Sequence, residues 1–173
     1  MCIRDRNKDK SLNIAILTIS DTREKENDKS GKMLKNCIDP SVHNVQDYLI
    51  CKDDKYQIRE IISKWINTEN IHVIITTGGT GITGRDGTPE AVIPLFDKEI
   101  DGFGELFRYI SYDKIKTSAL QSRACAGVSN ATYIFCLPGS PSACKDAWSS
   151  IITFQLSSTH KPCNLVELID RLK

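Results

Sequence analysis

The sequence predicts an α/β fold in which helices cover both faces of a sheet. Short, nearly continuous apolar runs recur along the chain, as strands buried on both faces require. Stretches with helical spacing of apolar residues lie between these runs. The 173 residues are 40% hydrophobic and 26% charged, an ordinary balance for one domain with a substantial core. That domain is expected over residues 12–173.

The first strand is "LNIAILTIS", Leu12 to Ser20. A polar segment expected to be mobile, "DTREKENDKSG", precedes a short helix in "GKMLKNCI". "HNVQDYLI" reads as a second strand ending at Ile50. In "YQIREIISKWINTEN", Ile58, Ile61, Ile62, Trp65 and Ile66 form one apolar helical stripe, with Lys55, Arg59, Glu60 and Lys64 off it. "IHVIITT" is a third strand, followed by the glycine-rich "GGTGITG". "TPEAVIPLF" begins like a helix, with Thr88 as N-cap, Pro89 at the first helical position and Glu90 in the first turn. "GFGELFRYI" places Phe103, Leu106, Phe107 and Ile110 on one helical face. "SALQSRACAGV" is expected to be a helical turn or short helix, and "TYIFCLP" a fourth strand stopped by Pro138. A last helix starts with Ser140 as cap and Pro141 behind it, and the tail packs back on the body.

Several function classes are excluded by composition. A net charge of +1 gives no electrostatic footprint for nucleic acid or an anionic membrane surface. No apolar run approaches the ~20 residues of a membrane span. The seven cysteines lack metal-ligand spacing and several sit in apolar runs, so reduced thiols in a cytoplasmic protein are expected. His43, His72 and His160 are scattered. Residues 1–11 are charged and patternless. They are expected to form a disordered tail, and "MCIRDR" reads as a read-through or cloning artefact.

Ligands of such sheets bind beyond the carboxyl ends of the strands. The segments there are Ser20–Thr22, Cys51–Asp54, Gly78–Gly81 and Pro138–Pro141. "GTGITG" matches a dinucleotide fingerprint superficially. The helix after it starts late, at Pro89, and the window near residue 100 shows no strand ending in an acid, so that reading fails. No G-K-[ST] follows, so it is not a P-loop. What remains is an anion nest: Gly78, Gly79 and Gly81 permit close backbone approach, and Thr77 and Thr80 add hydroxyls. Asp86 lies between nest and helix, where it either caps the helix or holds Mg²⁺ beside a phosphate. Pro138, Gly139 and Ser140 form a second strand-to-helix loop. Asp53 and Asp54 end the second strand as solvated acids or Mg²⁺ ligands. Ser122 and Arg123 offer a hydroxyl and a guanidinium, the latter suited to a phosphate or a surface salt bridge.

The stretches "ITTGGTGITGRDGTPEAVIPLFDKEIDGFGELFR", "TSALQSRACAGVSNATYIFCLPGSPSACKDAW" and the late "KPCN" resemble the MoaB/Mog family of molybdopterin-binding proteins. The resemblance runs from about Leu12 to Asn164, and "LFDKEIDGFGELFRYISY" is most similar to the MoaB branch. It implies a three-layer α/β/α sandwich with a mostly parallel central sheet, assembled as a homotrimer or homohexamer. It also implies a molybdopterin adenylyltransferase that uses Mg²⁺ and ATP and releases pyrophosphate, upstream of a molybdate-insertion protein. A non-catalytic pterin-binding or scaffold role in the same pathway is the alternative. By resemblance, Asp53 and Asp86 are catalytic and metal-binding, with Asp54 the alternative to Asp53. Gly78, Gly79, Thr80 and Gly81 match the phosphate loop. Ser122 matches an "SR" element, Pro138, Gly139 and Ser140 the second loop, and Ser20 and Asp21 the loop after the first strand.

Overall fold

The computed structural model describes residues 9–172. Six strands form one sheet: β1 (Asn13–Ile19), β2 (Asn44–Cys51), β3 (Val73–Thr77), β4 (Lys98–Glu99), β5 (Cys125–Ser129) and β6 (Thr132–Leu137). Their order is β2-β1-β3-β6-β5-β4. β1, β2, β3 and β6 are parallel neighbours, whereas β5 runs antiparallel to both β6 and β4. The principal helices are α1 (Lys29–Cys37), α2 (Lys55–Ile66), α3 (Thr88–Val92), α4 (Asp101–Ile115) and α5 (Pro141–Ala147). A π-helical segment, Trp148–Ile152, and a final turn, Thr153–Gln155, continue α5.

Alternation along the strands explains the three layers. In β1, Ile14 and Ile16 face a core built with Leu34 of α1, Phe103 and Phe107 of α4, and Cys144 and Ala147 of α5. Ala15 and Leu17 face the other way, toward Ile58, Ile62 and Trp65 of α2 and Ala91 and Val92 of α3. Ile62 is fully buried in this second core. Truncation by Ile62→Ala is expected to cost about 2–5 kcal/mol, read from the urea midpoint.

Three expectations are corrected. The first part of "SALQSRACAGV" is the expected helical turn, within a 3₁₀ segment Lys116–Gln121, but the second part is strand β5. The strand forms because Asn130 and Ala131, both at positive φ (44° and 64°), make a two-residue hairpin turn that pairs Val128 with Tyr133 and Cys125 with Cys136. Residues Lys98–Glu99 do form a strand near position 100, but it is an antiparallel edge strand remote from the glycine loop. Gly87, not Thr88, is the N-cap of α3; the Thr88 hydroxyl donates instead to the Gly78 carbonyl at 2.8 Å.

At the chain start, residues 1–8 of the expected tail lie outside the described residues. Asp9 accepts from the Ser157 and Ser158 hydroxyls at 2.8 and 3.2 Å, and the Lys10 amide donates to Ser158 Oγ. The C-terminal segment is held in turn by Tyr133, whose hydroxyl donates to the Leu165 carbonyl at 2.8 Å. Among the described residues no helix is long and apolar enough to cross a membrane, and Cys37, Cys51, Cys125, Cys136, Cys144 and Cys163 are all unpaired.

Candidate functional site

The carboxyl ends of β1, β3 and β6 lie side by side, and a cleft of about 620 Å³ opens above them. The glycine turn forms its floor. Gly78 and Gly79 sit at φ 109° and 64°, where side chains are disfavoured. The Gly78 amide donates to the Leu137 carbonyl at 3.0 Å, which ties the turn to β6. Gly139 packs against Gly78, so the two strand-end loops touch.

Two carboxylates lie against this turn. A Cβ on Gly79 would come 2.7 Å from Asp53 Oδ2, and one on Gly81 would come 2.6 Å from Asp86 Oδ2. Asp53 accepts from the Gly87 amide at 3.2 Å. Burial pushes its carboxyl above the usual value, and the charges of Asp86 and Asp21 push the same way. Asp86 accepts from the Thr83 amide and hydroxyl at 2.9 and 2.6 Å. The Thr83 hydroxyl leads the interactions that hold Asp86 below its usual value, so it stays ionised at neutral pH. Asp21, at the cleft edge, forms a bidentate pair with Arg85 at 2.9 and 2.7 Å, which lowers its carboxyl likewise.

Ser20, Asp21, Asp53 and Asp86 therefore meet Gly78, Gly79, Thr80 and Gly81 in one cleft, which Ser122, Pro138, Gly139 and Ser140 also line. Ser140 caps α5 by accepting from the Ala143 amide at 3.2 Å. Three expected residues do not face this space. Thr77 is fully buried and its hydroxyl donates to the Pro138 carbonyl at 2.9 Å, joining the two loops. Asp54 caps α2, accepting from the Tyr56 and Gln57 amides, which leaves Asp53 as the acid turned to the turn. Arg123 braces the loop from behind. It donates to the Gly81 carbonyl at 2.7 Å and the Asp86 carbonyl at 3.2 Å, and it pairs with Glu90.

A family model described as "Probable molybdopterin binding domain" matches residues 15–158. The chain belongs to this family. Molybdopterin-domain relatives resemble it along most of their length. Molybdenum cofactor biosynthesis protein B of Escherichia coli (strain K12) is 50% identical over 151 residues, covering 87% of this chain and 89% of the relative. A crystal structure of a molybdenum cofactor biosynthesis protein B superposes with TM-score 0.84 at 42% identity, covering 94% of this chain and 96% of the other. The tungsten cofactor synthesizing protein MoaB from Pyrococcus furiosus gives 0.75 at 34% identity, covering 83% and 92%. The mostly parallel sheet and its flanking helices are thus those of the MoaB/Mog molybdopterin-binding fold.

In this member of the family, sequence reasoning missed one wall of the cleft. Arg23 lines it, as do Phe107, Ser111 and Ile115 of α4. Arg23 was hidden in a run of polar residues, and the signal available was its position three residues after the first strand end. The α4 residues carry no chemistry-bearing pattern; only the packing of α4 beside β5 brings them there.

Proposed function

We propose that this chain binds molybdopterin in the cleft and adenylylates its terminal phosphate with ATP, in molybdenum cofactor biosynthesis. The observation that carries this reading is the pair of carboxylates, Asp53 and Asp86, set against Gly79 and Gly81 of the glycine turn. The turn supplies backbone for close approach by phosphate oxygens, and Asp53 and Asp86 would hold a divalent cation that accompanies the phosphates.

Among the described residues, no group of three or more His, Cys, Asp or Glu side chains is arranged to hold a metal by itself. Mg²⁺ is commonly held by one or two carboxylates together with substrate phosphates, and Asp53 and Asp86 would be those carboxylates here. When bound with ATP, Mg²⁺ would neutralise charge on the reacting phosphates. The chain's residues would position the reactants. A terminal phosphate oxygen of molybdopterin attacks the α-phosphorus of ATP, a new P–O–P bond forms, and the bond to the bridging oxygen breaks as pyrophosphate leaves with its electron pair. The attacking phosphate is already ionised, so no side chain has to remove a proton. In-line alignment and charge stabilisation are the protein's contribution.

The test is incubation with molybdopterin and Mg-ATP, followed by detection of the adenylylated pterin. Product is expected. In Asp86→Ala, pterin binding should persist while turnover falls at least about tenfold. Pterin binding without product in the wild type would instead establish a non-catalytic pterin-binding role.

Self-association as a trimer or hexamer is part of the same proposal. α4 and the segment after it expose Leu106, Tyr109, Tyr112 and Leu120, the last 84% accessible, a row of apolar side chains suited to a second copy. In the pathway, the product would pass to a molybdate-insertion protein.

A further inference from the structure

The cleft holds the carboxylates Asp21, Asp53 and Asp86, yet its proposed ligands are phosphates. Among the described residues that line it, Arg23 is the one cation.

Arg23 is held unusually firmly for a loop residue. Ser20 Oγ accepts from the Thr22 and Arg23 amides at 3.3 and 3.2 Å, which fixes the backbone turn after β1. The guanidinium is anchored at both Nη atoms. Nη1 donates to Ser30 Oγ and lies 3.7 Å from Asp28 Oδ1, and Nη2 donates to the Gly139 carbonyl at 2.8 Å. The side chain is 28% exposed, whereas that of Asp28 is fully buried.

The buried Asp28 explains the arrangement. Its carboxylate caps α1 through the Gly31 amide at 3.0 Å and accepts from Thr18 Oγ1 at 2.6 Å and from the Tyr48 hydroxyl. Such saturation lets a carboxylate stay charged away from water. Gly31 admits the cluster, since a Cβ there would lie 2.7 Å from the Tyr48 hydroxyl. The guanidinium is therefore oriented before any ligand arrives. Nε and the remaining Nη hydrogens find no acceptor among the described residues, on a side chain that lines the cleft between the Ser20 and Gly139 loops.

We propose that Arg23 is a phosphate-contacting residue of the cleft, pre-positioned by Asp28 and its hydroxyl partners. The inference rests on reading the cleft as a phosphate site, but not on adenylyl transfer. A guanidinium held in this way offers a planar fork to phosphate oxygens without losing much side-chain freedom on binding.

The test uses inorganic pyrophosphate without Mg²⁺ as the probe, in calorimetric titrations of the wild type, Arg23→Gln and Arg23→Lys. Pyrophosphate is expected to bind the wild type and to bind Arg23→Gln at least about tenfold more weakly, with Arg23→Lys between them. Unaltered affinity in Arg23→Gln, or no binding to the wild type, would overturn the proposal. Weakened binding in Arg23→Gln with no adenylylated pterin from the wild type would keep Arg23 and remove the transferase reading. Equal binding alongside normal product formation would do the reverse.

Discussion

Asp53→Asn is expected to reduce turnover in the proposed adenylyl transfer by about two orders of magnitude while raising the melting temperature at neutral pH. The first effect follows from removing one of two carboxylates at the glycine turn, a loss of the size found for preorganised charge stabilisation. The second follows from what Asp53 experiences in the fold. Burial, with Asp86 and Asp21 nearby, lifts its carboxyl above the ordinary value of 3.8, and the Gly87 amide only partly opposes this. A group whose folded-state value is raised favours folding in its protonated form. That contribution is complete below 3.8 and is lost as pH rises through the raised value. At neutral pH the ionised carboxylate therefore strains the fold, and the isosteric amide relieves it. The gain in melting temperature should shrink as pH falls toward 3.8, which a thermal series on both proteins would record. Wild-type turnover in the variant would remove Asp53 from the mechanism. A lower melting temperature would show that its hydrogen bond to Gly87 outweighs its desolvation.

Gly78→Ala should be the most damaging single-methyl change in the glycine turn. The residue sits at φ 109°, and the added Cβ would run into the backbone carbonyl of Ile19 at the end of the neighbouring strand. Backbone strain of about 1–3 kcal/mol is compounded by displacement of one strand end from another, so a total loss of roughly 3 kcal/mol or more is expected. Gly84→Ala is the internal control. It stands in open space with nothing within 4 Å of an added methyl, and removing glycine's unfolded-state freedom there should leave stability level or slightly higher. Urea denaturation of the two variants separates the cases. Equal midpoints would contradict the close packing of β1 and β3 at the site.

The two glycines also show what the sequence could and could not tell. Gly78, Gly79 and Gly81 were legible because a glycine run directly after an apolar strand has few uses other than turning and admitting a ligand. α2 was legible from its apolar stripe, and Ile58, Ile62 and Trp65 are indeed buried. β5 was not. Its centre is Ala126 and Gly127, which lack strand propensity, and the strand exists because Phe96 packs over Gly127 and the chain reverses at Asn130–Ala131 without the usual asparagine–glycine pair. Thr88 looked like a cap because a threonine before proline and glutamate fits that role. Only the approach of the Gly78 carbonyl, in the glycine turn, gave its hydroxyl a better partner. Arg123 read as suited to a phosphate or a salt bridge, and it pairs with Glu90 and donates to the carbonyls of Gly81 and Asp86. Local pattern identified the loops of the site, and long-range hydrogen bonds decided which side chains face into it.

The hydrogen bond from Gly78 to Leu137 has a consequence for the order in which the protein is made. β1, β2 and β3 are consecutive in the chain and can associate as soon as they leave the ribosome. β6, which completes the floor of the cleft, follows more than fifty residues after β3 and must insert directly beside it, with β5 placed outside. Until then Gly78 lacks its acceptor and Thr77 lacks the Pro138 carbonyl. A nascent chain thus carries its glycine turn early but cannot hold it in shape until nearly the whole domain has been synthesised. Partly made chains therefore lack the ordered cleft.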